Sequence, residues 1–172
     1  ISESMQKKPA RVRVEATPTH SKLEQNFYEV VGNDKRLAAL VALLGHYNPA
    51  SCVIFCNTRQ KCQEVADALQ AKGFSALALH ADREQRDRDQ GLGQFSNKSC
   101  SILVATDVAA RGLDIKDLEA VINFELSPDP EVHIHRIGRT GRAGKSGLAL
   151  SLYVAAESYR VNAIEDYQKS PV

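Results

Sequence analysis

Ser51-Cys52-Val53-Ile54-Phe55-Cys56 runs directly into Asn57-Thr58-Arg59. Six uncharged residues, rich in β-branched and aromatic side chains, predict a short strand buried on both faces. A strand with one wet face would alternate apolar and polar residues instead. Thr58 stands where a helix N-cap belongs, and residues 59–72 carry Val65, Ala66 and Leu69 at helical spacing before Gly73. Strand, polar turn and helix in that order predict one unit of a parallel α/β sheet.

The same pattern recurs toward the C-terminus. Residues 76–80, 101–105, 120–124 and 148–154 read as further short apolar strands. Between them lie a strongly charged helix over 84–95 and a helix opened by Pro130. A closing helix is expected over 157–167. Toward the N-terminus, Asp34 is placed to cap a helix ending at Gly45, with Leu37, Leu40, Val41 and Leu44 as its apolar stripe. Residues 26–31 read as extended. Residues 1–20 are polar, contain Pro9 and Pro18, and hold one alternating piece at 11–15, so they read as a linker with a short edge strand. Residues 21–172 then form one α/β domain, a parallel sheet between two helical layers.

In such sheets ligands gather beyond the carboxyl ends of the strands. That rule collects four polar loops on one rim: 57–59, 81–83, 106–114 and the approach to residues 135–142. The last of these, His135-Arg136-Ile137-Gly138-Arg139-Thr140-Gly141-Arg142, interleaves arginines with small residues. Guanidinium forks suit phosphate oxygens, and a helix would set Arg136 and Arg139 on neighbouring positions of one face. Spacing alone fits a solvated basic helix end as the ordinary reading of such a run. The nearby Gly141-Arg142-Ala143-Gly144-Lys145-Ser146 imitates a phosphate-binding loop. However, Arg139 stands where that loop needs its first glycine, and a strand follows rather than a helix. A triphosphate-gripping loop is therefore excluded here.

Bulk properties narrow the classes further. Apolar residues make up 43% and charged residues 25% of 172, as in ordinary globular proteins, and no apolar run approaches the ~20 residues of a membrane span. A cytoplasmic location without membrane contact is the default. A net charge of +1 argues against indiscriminate polyanion binding, so any nucleic-acid contact is local. Cys52 and Cys56 in one strand lie ~13 Å apart, too far to share zinc, and Cys62 and Cys100 lack a Cys-x-x-Cys partner. Reduced buried thiols are expected. His133 and His135 point to nearly opposite sides of a helix, so no metal site is expected there.

Individual rim residues suggest chemistry. Thr106 offers a hydroxyl near a following helix N-terminus, a seat for a backbone phosphate, and Arg111 adds a cation. Asp114 is suited to a ribose hydroxyl, although Asp107 and Asp114 also fit as caps or ion-pair partners. Gln85 and Arg88 share one helical face, either to act on a backbone together or as part of a solvated face.

Phe55-Cys56-Asn57-Thr58, the run Leu79-His80-Ala81-Asp82 with Gln85 and Arg88, residues 105–115 and residues 135–142 together resemble, in order and spacing, four motifs of the DEAD-box RNA helicases. The resemblance spans roughly residues 10–165. It implies a RecA-like domain of the P-loop NTPase type, the C-terminal lobe of a two-lobed ATP-dependent motor. The partner N-terminal lobe would carry the phosphate-binding loop and hold Mg with ATP. By this resemblance Arg139 and Arg142 reach the γ-phosphate, with Arg142 as arginine finger, and Asp114 touches the ribose. His135 and Arg136 would couple the lobes. Asn57, Thr58, Arg59, Asp82, Gln85, Arg88, Thr106 and Arg111 would hold RNA. Residues 123–133 resemble a bacterial branch with a C-terminal RNA-binding domain directed to ribosomal RNA of the large subunit; that domain is expected to be absent from this chain. Two departures stand out: Ala81 replaces the usual glycine, and His133 the usual tyrosine. Two other classes stay open, a non-catalytic binding module on the same lobe and a DNA-directed helicase.

Overall fold

The computed structural model describes residues 10–13, 22–79, 101–110, 118–140 and 146–169. Its strands are β1 (Ala10–Arg13), β2 (Lys22–Val30), β3 (Cys52–Phe55), β4 (Ala76–Leu79), β5 (Ile102–Ala105), β6 (Ala120–Asn123) and β7 (Ser146–Val154). The helices are α1 (Arg36–Tyr47), α2 (Arg59–Ala71), α3 (Asp107–Ala110), α4 (Pro130–Ile137) and α5 (Ser158–Lys169). One sheet runs in the order β1-β2-β7-β6-β3-β5-β4. All neighbouring pairs are parallel except β1, which lies antiparallel on β2 at one edge.

The continuously apolar strand β3 takes the central place its sequence demands, paired with β5 on one side and β6 on the other. Its alternation serves two cores. Cys52, Ile54 and Cys56 join α1 and α2 residues such as Leu40, Leu44, Val65 and Leu69 on one face. Val53 and Phe55 join Leu103, Ala105, Ala110 and Val121 on the other. A third cluster on that second side seats α5 through Val161 and Ile164 against Phe27, Leu126 and Tyr153. Each large aliphatic side chain so buried contributes about 1.5–3 kcal/mol. The sheet therefore lies between two helical layers, as its strands predict.

Local signals hold at α2 and α4. The Thr58 side chain accepts from the Lys61 backbone N–H, and α2 runs out at Gly73 with φ +92°. Asp129 caps α4 with Pro130 in its first turn.

At α1 the expectation needs correcting at both ends. Residues 33–35 form a single 3-10 turn and α1 starts at Arg36, so Asp34 does not cap it. The helix also continues through Gly45 and ends at Asn48, whose φ of 44° is left-handed and whose N–H bonds Leu44 O. Asparagine tolerates that conformation, which lets it take the place expected of glycine. The second strand is longer than residues 26–31, because β7 offers nine parallel partners to Lys22–Val30.

Cys52, Cys56 and Cys62 are buried, and burial pushes the Cys52 and Cys56 thiols up, so these two stay protonated. Among the described residues no helix is long and apolar enough to cross a membrane.

Candidate functional site

Three loops leave the carboxyl ends of β3, β5 and β6, and Arg136 of α4 joins them. Its Nε and Nη2 donate to the two oxygens of Asp107 at 2.7 Å each. Nη2 also reaches Asn57 Oδ1 at 2.8 Å, while Nη1 donates to Asn123 Oδ1 at 3.1 Å and Glu125 O at 2.7 Å. These bonds engage all five guanidinium donors. The group also lies over the Phe55 ring, 5.1 Å from its centroid, and Arg136 is only 2% exposed. Such complete satisfaction is what makes a buried cation tolerable.

This alters the expected arrangement of the arginine run. Although helix spacing sets Arg136 beside Arg139, Arg136 turns inward and spends its donors on the protein. Arg139 is half-buried and donates to Ala110 O at 3.1 Å. With exposed His135, Val132, Asp107 and Ala110 it lines a cleft of ≈ 130 Å³ whose inner wall is Phe55 and Arg136. The chain just beyond is pinned: Leu118 N donates to Arg139 O at 3.1 Å, and the buried Thr140 hydroxyl donates to Leu118 O. Backbone is thus fixed two residues before Arg142.

The RNA-side expectations are placed as follows. Asn57 donates through its side chain to Leu126 O at 3.1 Å and through its backbone to Glu125 Oε1 at 2.8 Å. With Oδ1 given to Arg136, its amide holds the loop. Thr58 and Arg59 are exposed at the α2 N-terminus. Thr106 is 6% exposed, and its hydroxyl accepts from Ala109 N at 3.2 Å, so that oxygen caps α3. Asp107 is the ion-pair partner that its sequence context allowed. Asp82, Gln85, Arg88, Arg111, Asp114 and Arg142 lie outside the described residues, as do Ala81 and the expected helix over 84–95.

Sequence reasoning missed Asn123 and Glu125. The one available signal was an asparagine ending an otherwise apolar strand, where a buried amide needs partners. Asn123 supplies Oδ1 to Arg136 and Nδ2 to Ser151 Oγ at 3.0 Å.

His133 packs into the interior between α4 and β2. It is fully buried, stacked on Phe27 at 5.8 Å between centroids, with Nε2 3.1 Å from Gln25 Oε1. It thereby fastens α4 to β2. Burial, aided by the Arg136 charge, lowers its pKa to about 3. The folded ring stays neutral while the unfolded ring titrates near 6.5, so the unfolded state binds more protons between those values. Stability therefore falls as pH drops from 6.5 toward 3. Through this group the loss between pH 7 and pH 4.5 is on the order of 2 kcal/mol. Urea unfolding at several pH values should show that slope, and His133→Phe should flatten it.

Residues 35–144 match the helicase conserved C-terminal domain, so the chain belongs to that family, and its relatives are DEAD-box RNA helicases. It is 55% identical to the ATP-dependent RNA helicase DbpA of Escherichia coli over 96% of this chain and 36% of that protein. Among solved structures it resembles E. coli SrmB, crystallised with the regulator of ribonuclease activity A, with a TM-score of 0.79 and 30% identity over 91% of this chain and 90% of that one. It also resembles Saccharomyces cerevisiae Dbp5 bound to RNA and ADP BeF3, with a TM-score of 0.78 and 28% identity over 91% of this chain and 41% of that one. The chain spans about a third of the length of the curated relatives it matches.

Proposed function

We propose that this domain is the C-terminal half of an ATP-dependent RNA helicase, closing on a second lobe to complete its ATP site. The observation that carries this reading is the division within α4 and its extension: Arg136 is locked inward, while His135 and Arg139 line an open cleft. The cleft suits a phosphate in charge and exposure. Arg139 and Arg142 stabilise charge on the γ-phosphoryl group, Arg142 as the finger, and Asp114 binds the ribose. ATP supplies the phosphoryl group. Mg accompanies the ATP phosphates on the other lobe. His135 meets that lobe, and Arg136 supports the coupling from behind by fixing α4. Residues 1–20 are the inter-lobe linker.

RNA lies along the rim. Thr58 and Arg59 contact its backbone from the α2 N-terminus, where helix N–H groups and a cation act together. Asn57 shapes that loop, and Asp82, Gln85, Arg88, Thr106 and Arg111 complete the surface. Structured RNA, specifically ribosomal RNA in large-subunit assembly in the cytoplasm, is the substrate, delivered by an RNA-binding domain beyond this chain. The bound RNA and nucleotide analogue of Dbp5 support this reading.

The test uses a two-lobed protein containing this chain. ATP hydrolysis should rise at least tenfold with structured RNA and much less with a 2′-deoxy strand of the same sequence. Equal stimulation by both strands would indicate a DNA-directed helicase. RNA binding with no stimulated hydrolysis would indicate a binding module.

A further inference from the structure

Three consecutive backbone carbonyls beyond β6 each receive a guanidinium from a different helix. Arg36 of α1 donates to Phe124 O at 2.8 Å, Arg136 of α4 to Glu125 O at 2.7 Å, and Arg160 of α5 to Leu126 O at 2.9 Å. Each arginine also meets a carboxylate. Glu157 lies 2.7 Å from Arg36 and 3.8 Å from Arg160, and Asp107 holds Arg136. The segment between β6 and α4 is therefore braced from three directions. It is also the segment that Asn57 grips, through Leu126 O and the Glu125 carboxylate.

We propose that Arg160 is a positioning residue for the RNA-binding loop 57–59, acting through the Leu126 carbonyl that it shares with Asn57. This rests on the function proposed above. Arg160 is remote in sequence from every rim motif, its side chain is 21% exposed, and its remaining contacts stay local, with Nε 3.1 Å from the Tyr159 hydroxyl. Its direct contact with the rim is that one bond to Leu126 O, and Glu157 links it more distantly to Arg36 and the Phe124 carbonyl. Charge-assisted bonds to carbonyls are among the stronger ones, and releasing this one frees Leu126 and the amide anchored on it. Because a single donor makes the contact, an ammonium group can replace the guanidinium.

RNA-stimulated ATP hydrolysis by the two-lobed protein provides the test. Arg160→Ala should raise the half-saturating RNA concentration roughly five- to tenfold. The kcat at saturating RNA and the KM for ATP should stay within about twofold, and Arg160→Lys should recover most of the RNA affinity. Should the alanine variant fail to fold, Arg160→Lys and Arg160→Gln carry the comparison, with the lysine variant binding RNA more tightly than the glutamine variant. Unchanged half-saturation in Arg160→Ala, a proportional fall in kcat, or lysine performing no better than the neutral variant would overturn the proposal. Absence of RNA stimulation in the wild-type protein would instead overturn the function on which it rests.

Discussion

Replacing Arg142 with alanine in a two-lobed protein containing this chain is expected to lower RNA-saturated ATP turnover by about 10³-fold or more. In phosphoryl transfer the protein does little covalent chemistry, so rate comes from cations placed against charge that develops on the transferring group. A cation brought in from a second lobe acts only after closure, so its loss falls on kcat rather than on the KM for ATP. The backbone just before Gly141 is fixed by the fold. Thr140 is buried and tied to Leu118, and Arg139 O accepts from Leu118 N, so the chain enters the Gly141-Arg142 step from fixed backbone. Arg142→Lys should recover little, because one ammonium cannot reproduce the paired donors of a planar guanidinium. Steady-state kinetics at saturating RNA checks both variants.

Arg136→Ala is expected to destabilise the domain by about 3–5 kcal/mol, enough to unfold a marginal protein. The alanine variant leaves Asp107, Asn57, Asn123 and the Glu125 carbonyl without their common donor. It also removes the group packed on Phe55. Asp107 is 29% exposed, so water compensates part of its loss, and the effect belongs nearer the lower figure. Arg136→Lys should fail as well, since an ammonium has three donors for five acceptor contacts. Urea unfolding, with the midpoint lowered at constant slope, measures the change. If Arg136 were a solvent-facing clamp residue, the same substitution would leave the midpoint nearly unmoved.

Why the sequence shows some of this and hides the rest follows from the range of the interactions. β3, β5 and β6 are legible because burial on both faces imposes a continuous apolar run, a property each strand carries by itself. Thr58 is legible because a cap bonds a backbone N–H within three residues, and Pro130 because its fixed backbone suits a first helical turn. Arg36 is hidden for the opposite reason. It follows Asn33-Asp34-Lys35, a polar stretch typical of surfaces, and is buried only because Phe124 O and Leu152 O, 88 and 116 residues away, need donors. Arg136 and Arg139 are indistinguishable by spacing. Asp107, 29 residues earlier, decides which of them turns inward. His133 likewise depends on Gln25 and Phe27 of a distant strand.

The assignment at the centre is tested most directly by chemical rescue of turnover in Arg142→Ala. If Arg142 completes the closed cleft as proposed, free guanidinium ion should restore part of the lost kcat in an RNA-dependent manner, while an equal concentration of sodium chloride should not. Turnover that survives Arg142→Ala at its original rate would contradict the placement of this lobe's cations at the reacting phosphate.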